Sequence, residues 1–300
     1  MVKIGHSNVE VPALGLGTNK VGGHNLFPNL KDDNGVAVVK EALAKHITLL
    51  DTAFMYGLGR SEELIAQALQ GVPRAQVIIA TKAAQTPQDP KVRDNSPAFL
   101  QQAVADALAR LQTDYVDIFY IHFPDEKTHK AAAIKALAKL RDAGKLRAIG
   151  VSNFSLAQLE EANADDLVDV VEDHYSLVHR DAEKTLFPYL RAHHISFVPY
   201  FPLASGLLTG KYGPADAAKF PQYSAAKYAA IMAGLKVVRR IAQAHKATVA
   251  QVVLAWYMAN PDVATVIPGA RLPEQVDQNA GAYAVHLTPA EYQQIDAAFQ

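Results

Sequence analysis

Four side chains in this sequence suit the transfer of a proton to a carbonyl oxygen, and they fall just after short apolar runs. Asp51 follows Ile47–Leu50, with Tyr56 in the loop beyond it. Lys82 comes after Val77–Ala80, and His122 directly follows Val116–Ile121. A tyrosine with an unperturbed pKa near 10 is a weak acid at neutral pH. A neighbouring ammonium stabilises the phenolate, so Lys82 is expected to make Tyr56 a better proton donor. Asp51 can hold that ammonium in an ion pair, and His122 can donate a hydrogen bond that positions the substrate oxygen. None of the four carries a hydride, so a cofactor has to supply it. Taken singly, each has a plainer reading. Asp51 and Lys82 could be a structural ion pair, His122 a structural histidine, and Tyr56 one tyrosine among 12. Their joint placement behind three neighbouring apolar runs is what argues for chemistry.

The elements that must position them repeat as an apolar run followed by an amphipathic stretch. The runs are Ala13–Leu16, Ile47–Leu50, Val77–Ala80, Val116–Ile121, Ala148–Val151, Val168–Val171, Ile195–Pro199 and Val263–Ile267. Helical patterns lie between them, such as Pro97–Leu111, with Leu100, Val104, Leu108 and Leu111 on one face, and Ala131–Ala143. Eight strands alternating with helices predict a parallel sheet closed into an α/β barrel, the (β/α)8 TIM barrel. An open doubly wound sheet is the alternative, but no GxGxxG follows the first strand. Ahead of the repeat, Val2–Ile4 and Val9–Val11 flank His6-Ser7-Asn8 and predict a β-hairpin cap for the N-terminal end of the barrel. The Gly-, Pro- and Ala-rich stretch Lys211–Gln222 is the candidate mobile loop. No break in composition divides the chain, so residues 1–300 are expected to form one barrel domain.

In such a barrel the reactive groups sit at the C-terminal ends of the strands. That rim also receives Ser152 and Asn153 after Ala148–Val151, and Glu172 after Val168–Val171. Phe27, Phe54, Phe123 and Phe201 are expected to line an apolar mouth for a small carbonyl or alcohol substrate. Lysine plus arginine total 29 against 30 aspartates and glutamates, which gives no support to nucleic acid or an anionic membrane as a partner. The absence of cysteine excludes disulfides, thiol catalysis and thiolate metal sites. His193 and His194 are adjacent and no HExxH spacing occurs, so no metal is expected. Without an apolar leader, or a run of the roughly 18 apolar residues that a membrane span requires, the chain is expected to be cytoplasmic. Trp256, the only tryptophan, is expected in the core.

Longer motifs then match a known family. Leu50-Asp51-Thr52-Ala53-Phe54-Met55-Tyr56-Gly57 resembles the aldo-keto reductase signature LDTAxxYG, and Gly59–Ile65 its continuation. Ala80-Thr81-Lys82, Ile121–Asp125 and Gly150-Val151-Ser152-Asn153-Phe154 are similar to its lysine, histidine and GVSNF motifs. Pro202–Tyr212 is similar to its PLxxGxLTGKY loop, and Ile267–Arg271 with Asn279 to its last cofactor motif. Gly17-Thr18-Asn19, Gly22-Gly23-His24-Asn25, His122–Glu126 and Pro199–Leu203 resemble the bacterial branch typified by the inositol-operon aldo-keto reductase of bacilli. The Lys211–Gln222 region is shorter than in that branch.

The resemblance implies a tetrad of Asp51, Tyr56, Lys82 and His122, with NADPH/NADP+ as cofactor. Ser152 and Asn153 would hold the nicotinamide carboxamide, and Tyr175 would stack on the ring. Gly17, Thr18, Asn19, Tyr200 and Gly269 would also border the cofactor. Phe201, Pro202, Leu203, Ser205, Gly206 and Lys211 would cover the pyrophosphate. Arg271 would face the adenosine 2′-phosphate, with Gln275, Gln278 and Asn279 towards the adenine. Glu172 stands where the family usually has glutamine. If ionised beside a ring that is cationic when oxidised, it would favour the oxidised cofactor; protonated or turned away, it would not. The activity implied is interconversion of carbonyl compounds and alcohols. A non-catalytic, nucleotide-sensing barrel resembling potassium-channel β subunits is the alternative, since fold does not fix function. A third reading makes Lys82 a Schiff-base lysine of an isomerase or aldolase.

Overall fold

The computed structural model describes residues 1–300. The chain opens with an antiparallel pair, β1 (Val2–Lys3) and β2 (Glu10–Val11), joined by a tight turn. Seven strands then pair in parallel in the order of the chain: β3 (Leu16–Gly17), β4 (Leu49–Asp51), β5 (Ile78–Ala83), β6 (Val116–Ile121), β7 (Leu146–Ser152), β8 (Val170–His174) and β9 (Ser196–Tyr200). The helices outside them are α1 (Asp32–Ala44), α2 (Arg60–Ala68), α3 (Pro97–Leu111), α4 (Lys130–Asp142), α5 (Leu156–Ala162), α6 (Ala182–Thr185), α7 (Phe187–Ala192), α8 (Ala225–Ala244), α9 (Val249–Met258), α10 (Pro273–Ala280) and α11 (Pro289–Ala297). No helix is long and apolar enough to cross a membrane.

The eighth position of the barrel is filled without a regular strand. Ala264 N donates to Phe197 O of β9 at 2.9 Å. On the other side, Gly15 N donates to Val266 O at 2.8 Å and Gly17 N to Pro268 O at 3.2 Å. The segment therefore bridges β9 to β3 and closes a (β/α)8 barrel. Pro268 has no N–H to give, which limits the ladder to isolated bridges where Val263–Ile267 predicts a strand. The glycines at the seam are sterically required, since a Cβ on Gly17 would lie 2.7 Å from Ile267 O.

Strand alternation sorts the interior into layers. Leu49, Ala80, Ile118, Ala148, Val170 and Val198 point inward and pack against Ile4, Val9 and Val11, so the hairpin plugs the N-terminal end. Two residues further along each strand the inward positions are Asp51, Lys82, Tyr120, Gly150, Glu172 and Tyr200. The polar floor is thus the next layer above an apolar one. The other strand faces join the large core between sheet and helices, with Trp256 fully buried in it.

Helix α3 runs over the residues its pattern predicts. Ser96 accepts from Phe99 N at 3.3 Å as N-cap and Pro97 stands in the first turn, while Leu100, Val104 and Leu111 are buried. The stretch Lys211–Gln222, expected as a loop, contains local structure of its own. Pro214–Lys219 forms a 3-10 turn whose Asp216 accepts from Gly213 N at 2.8 Å. Phe220 is buried between Tyr212 and Tyr228. Its aromatic residues anchor it despite its loop-like composition.

One glycine tests the layering. A Cβ on Gly150 would lie 2.2 Å from Cδ1 of the Tyr120 ring, which crosses the barrel through that gap. Gly150→Ala is expected to cost roughly 1–3 kcal/mol, as overpacking does. Chemical denaturation checks this, and an unchanged midpoint would mean that the ring is free to move aside.

Candidate active site

Asp51, Lys82 and Glu172 end or nearly end three inward-facing strands and meet on the barrel floor, each 1–3% exposed. The Lys82 ammonium donates to Asp51 Oδ1 and, at 3.0 Å, to Thr52 O, while Glu172 Oε2 lies 3.3 Å away. Two ionised carboxylates around one ammonium would leave a net negative charge out of reach of water. Burial and the charge of Asp51 push the Glu172 carboxyl well above its ordinary range, and the pull of Lys82 does not offset them. Glu172 therefore keeps its proton, and the floor is neutral as an Asp51–Lys82 ion pair beside a carboxylic acid. Of the alternatives left open for Glu172, burial on the floor favours the protonated one, which brings no negative charge to a cofactor ring. Lys82 is likewise unsuited to act as a free amine. Burial disfavours its charge, but Asp51, Glu172 and Tyr56 outweigh burial and raise its pKa. That removes the support for the Schiff-base reading.

Tyr56 lies above this floor, in the loop from β4 to α2. Tyr56 N donates to Ala53 O and Ser61 N to Tyr56 O, both at 3.1 Å. The loop presses so closely on Gly22 that a Cβ on Gly57, at φ 73°, would lie 2.0 Å from Gly22 O. The Lys82 ammonium stands 5.6 Å from the Tyr56 ring centroid, and the His122 ring meets it edge-on at 6.1 Å. Burial raises the Tyr56 pKa; Lys82 pulls it down, while Asp51 and Glu172 push it up. The net shift is upward, against the expectation that Lys82 would leave Tyr56 more acidic than usual, because burial of the phenol outweighs the pull of the ammonium. Tyr56 is consequently a phenol at physiological pH, the form that donates a proton. Burial, Lys82 and Arg93 depress His122 well below its usual pKa, so its ring is neutral; its Nδ1 is buried without a partner.

The wall on the side of β7–β9 is tied together by Asn153. Its Nδ2 donates to Ser152 Oγ and to His122 O, both at 2.9 Å, and its Oδ1 accepts from the Tyr200 hydroxyl at 2.8 Å. Tyr200 stacks on His174 at 5.5 Å, and His174 on His179 at 3.9 Å. Burial and His179 push His174 down to about 4, so it is neutral and pairs with neither neighbouring carboxyl. Tyr175 does not reach the site. It lies past the end of β8 on the outward face, fully buried against Trp256, with its hydroxyl donating to Glu183 at 2.7 Å. The aromatic face at the rim is that of Tyr200, two residues beyond inward-facing Val198.

The expected pyrophosphate loop is held in unusual backbone. Phe201, Ala204, Ser205 and Gly206 all have positive φ, and Tyr257 pins the loop by donating to Pro202 O at 2.8 Å. Leu203 packs on the core. Lys211 lies over Gly206, where a Cβ would come 3.3 Å from its Nζ. Lys20, which sequence reasoning missed, joins it. Burial, Arg271 and Lys211 all lower the Lys20 pKa, and none of these three cations pairs with a carboxylate. The signal was available, since Lys20 directly follows Gly17-Thr18-Asn19. Asn19 Oδ1 is buried without a partner beside Gly269. Thr18, by contrast, is fully buried and spends its hydroxyl on Asp51 O at 2.8 Å, so it supports the floor rather than facing a ligand. Gln275 Oε1 caps α10, accepting from Arg271 N at 2.7 Å, and only its amide nitrogen is left for other contacts. Gln278 O accepts from Gln251 at 2.8 Å, and Asn279 is partly buried on the same helix.

Of the expected mouth, Phe123 stacks on His122 at 4.8 Å, Phe201 is half exposed, and Phe27 lies 5.6 Å from the Lys20 ammonium. Phe54 is excluded. It turns into the outer layer, where Arg110 of α3 lies 5.1 Å from its ring and is held by Glu62.

The aldo/keto reductase family profile matches residues 13–300. The chain belongs to the aldo/keto reductase family. It is 31% identical to the aldo-keto reductase YhdN of Bacillus subtilis, over 91% of this chain and 86% of that protein. It is 30% identical to the NADH-specific methylglyoxal reductase of Escherichia coli, over 97% of this chain and 95% of that one. Its fold superimposes on the glycerol dehydrogenase AKR11B4 of Gluconobacter oxydans with a TM-score of 0.87, at 30% identity, over 99% of this chain and 94% of that one. Membership places the chain among oxidoreductases that use nicotinamide cofactors on small-molecule substrates. The residues present fit such a cofactor: three uncompensated cations for its phosphates, a Gly17–Gly269 seam and a buried acceptor on Asn19.

The floor chemistry yields a pH test. A carboxyl raised on folding keeps its proton in the native state while the unfolded chain loses it, so its contribution to stability falls as pH rises above its unfolded value. Glu172→Gln removes that loss and is expected to gain stability relative to wild type between about pH 5 and about pH 8. Denaturant titrations at both ends check it; a difference independent of pH would show that Glu172 is ionised.

Proposed function

We propose that this protein is an NADP(H)-dependent carbonyl reductase that interconverts aldehydes or ketones with alcohols, with Tyr56 as the proton donor in reduction. The observation that carries this reading is the Tyr56 ring meeting His122 edge-on at 6.1 Å above the buried Asp51–Lys82 pair. When bound, the nicotinamide supplies the hydride. The chain's own part is to place the carbonyl and move one proton. His122 orients the oxygen by a hydrogen bond from its neutral ring, and Tyr56 gives its proton to that oxygen as negative charge develops there. Lys82 stabilises the resulting phenolate. Carbonyl, hydride and proton sum to the alcohol. Ser152 and Asn153 offer polar groups to the carboxamide, and Tyr200 offers the ring face for stacking. Arg271, partly buried and unpaired, supports preference for the 2′-phosphate of NADP(H), with Lys20 and Lys211 serving the remaining phosphates.

Tyr56→Phe is expected to lower the rate of NADPH-dependent reduction by roughly 10²–10⁴-fold, with NADPH binding retained in a fluorescence titration. Turnover close to wild type would remove Tyr56 from its role, and an inert wild type across aldehydes, ketones, dicarbonyls and sugars would favour a nucleotide sensor. Arg271→Ala is expected to weaken NADPH binding about tenfold or more while affecting NADH much less. Equal losses for both would count against the 2′-phosphate assignment.

A further inference from the structure

The loop after β5 doubles back on itself beside His122. Thr86 N donates to Val92 O at 3.0 Å and Asp94 N to Ala84 O at 2.9 Å. Asn95 fastens the loop to the segment after β6, its N donating to Asp125 Oδ2 at 2.8 Å and its Nδ2 to Phe123 O at 3.0 Å. The turn so fixed presents Arg93, whose guanidinium lies 4.4 Å from the Phe123 ring, and Phe123 in turn stacks on His122. A cation, an aromatic ring and the oxygen-orienting imidazole are therefore stacked in sequence at the mouth.

Arg93 has no acceptor of its own. Of all the arginines in the chain, only Arg93 and Arg271 have a guanidinium with neither an ion pair nor a hydrogen bond. Asp94 beside it and Asp125, on the segment to which the loop is fastened, are both occupied elsewhere. Asp94 accepts from Ser96 N at 2.7 Å, and Asp125 accepts from Asn95 N, Thr128 N and the Thr128 hydroxyl. The face of Phe123 partly stabilises the exposed cation, but all its N–H donors remain free. A planar guanidinium resting on an aromatic ring with unspent donors suits a carboxylate or phosphate.

We infer that Arg93 selects carbonyl substrates that carry an anionic group, binding that group while the carbonyl oxygen lies at His122 and Tyr56. This rests on the carbonyl-reductase reading and names its substrate class. The bound anion replaces the missing acceptor, and the exposed pairing is screened by salt.

The test uses the full-length protein with NADPH and matched substrates: 4-carboxybenzaldehyde with its methyl ester, and glyceraldehyde 3-phosphate with glyceraldehyde. Wild type is expected to prefer the charged member of at least one pair, and that pair identifies carboxylate or phosphate as the anion. In Arg93→Gln the kcat/KM ratio of charged to neutral member is expected to fall roughly tenfold or more, through KM. Arg93→Lys is expected to fall between. Added NaCl is expected to shrink the wild-type ratio but not that of Arg93→Gln. Calorimetric titration of the NADPH complex with 4-(hydroxymethyl)benzoate or glycerol 3-phosphate, the alcohol matching the preferred anion, is expected to show the same loss without turnover. If Arg93 only props Phe123 against His122, both members of a pair slow together and the ratio holds, which overturns the inference. No reduction of any of the four substrates by wild type overturns the carbonyl-reductase reading and the inference with it.

Discussion

The ammonium of Lys82, sealed on the barrel floor between Asp51 and Glu172, is the constraint on which the site depends. An unpaired ammonium there would be untenable, so Asp51 is bound to it. With that pair formed, a second negative charge has no counterion, and Glu172 stays an acid. The same ammonium helps to keep His122 neutral and pulls the Tyr56 phenol towards ionisation, although burial outweighs it. Each of these protonation states thus follows from burial first, and then from one buried cation and the few charges that can share its cavity.

The barrel makes that cavity by simple alternation. Six strands contribute an apolar residue to a layer sealed from below by Ile4, Val9 and Val11, and a polar or small residue to the next. Because Asp51, Lys82, Ser152, Glu172 and Tyr200 are strand residues, their backbones are held by sheet hydrogen bonds. Only Tyr56 comes from a loop. That loop is fixed by Gly57 against Gly22 and by the start of α2.

The fold was legible because β-period and helix-period stretches alternate with little interruption, and the pattern over Pro97–Leu111 coincides with α3. The seam at Pro268 was less legible, since an apolar run does not reveal whether its amides can pair. The convergence of Asp51, Tyr56, Lys82 and His122 was legible from strand ends and motif. What misled was direction. Tyr175 and Phe54 sit close in sequence to reactive residues, yet they fall on outward-facing positions, which a single residue of register decides. Charge was the other gap. That burial of Tyr56 would outweigh the pull of Lys82, and that Lys20 would join Lys211 and Arg271, depends on packing in space that spacing along the chain does not contain.

Asn153 carries a further consequence. Its amide bonds the carbonyl of His122 on one side and the hydroxyl of Tyr200 on the other, so two walls with different tasks share one fastening. A shift in either wall is passed to the other through two hydrogen bonds. Substitutions that adapt the chain to a new substrate and those that adapt it to a new cofactor are therefore not independent. Lineages altering one trait would be expected to carry compensating changes in the other, making Asn153 a point of epistasis in the history of the site.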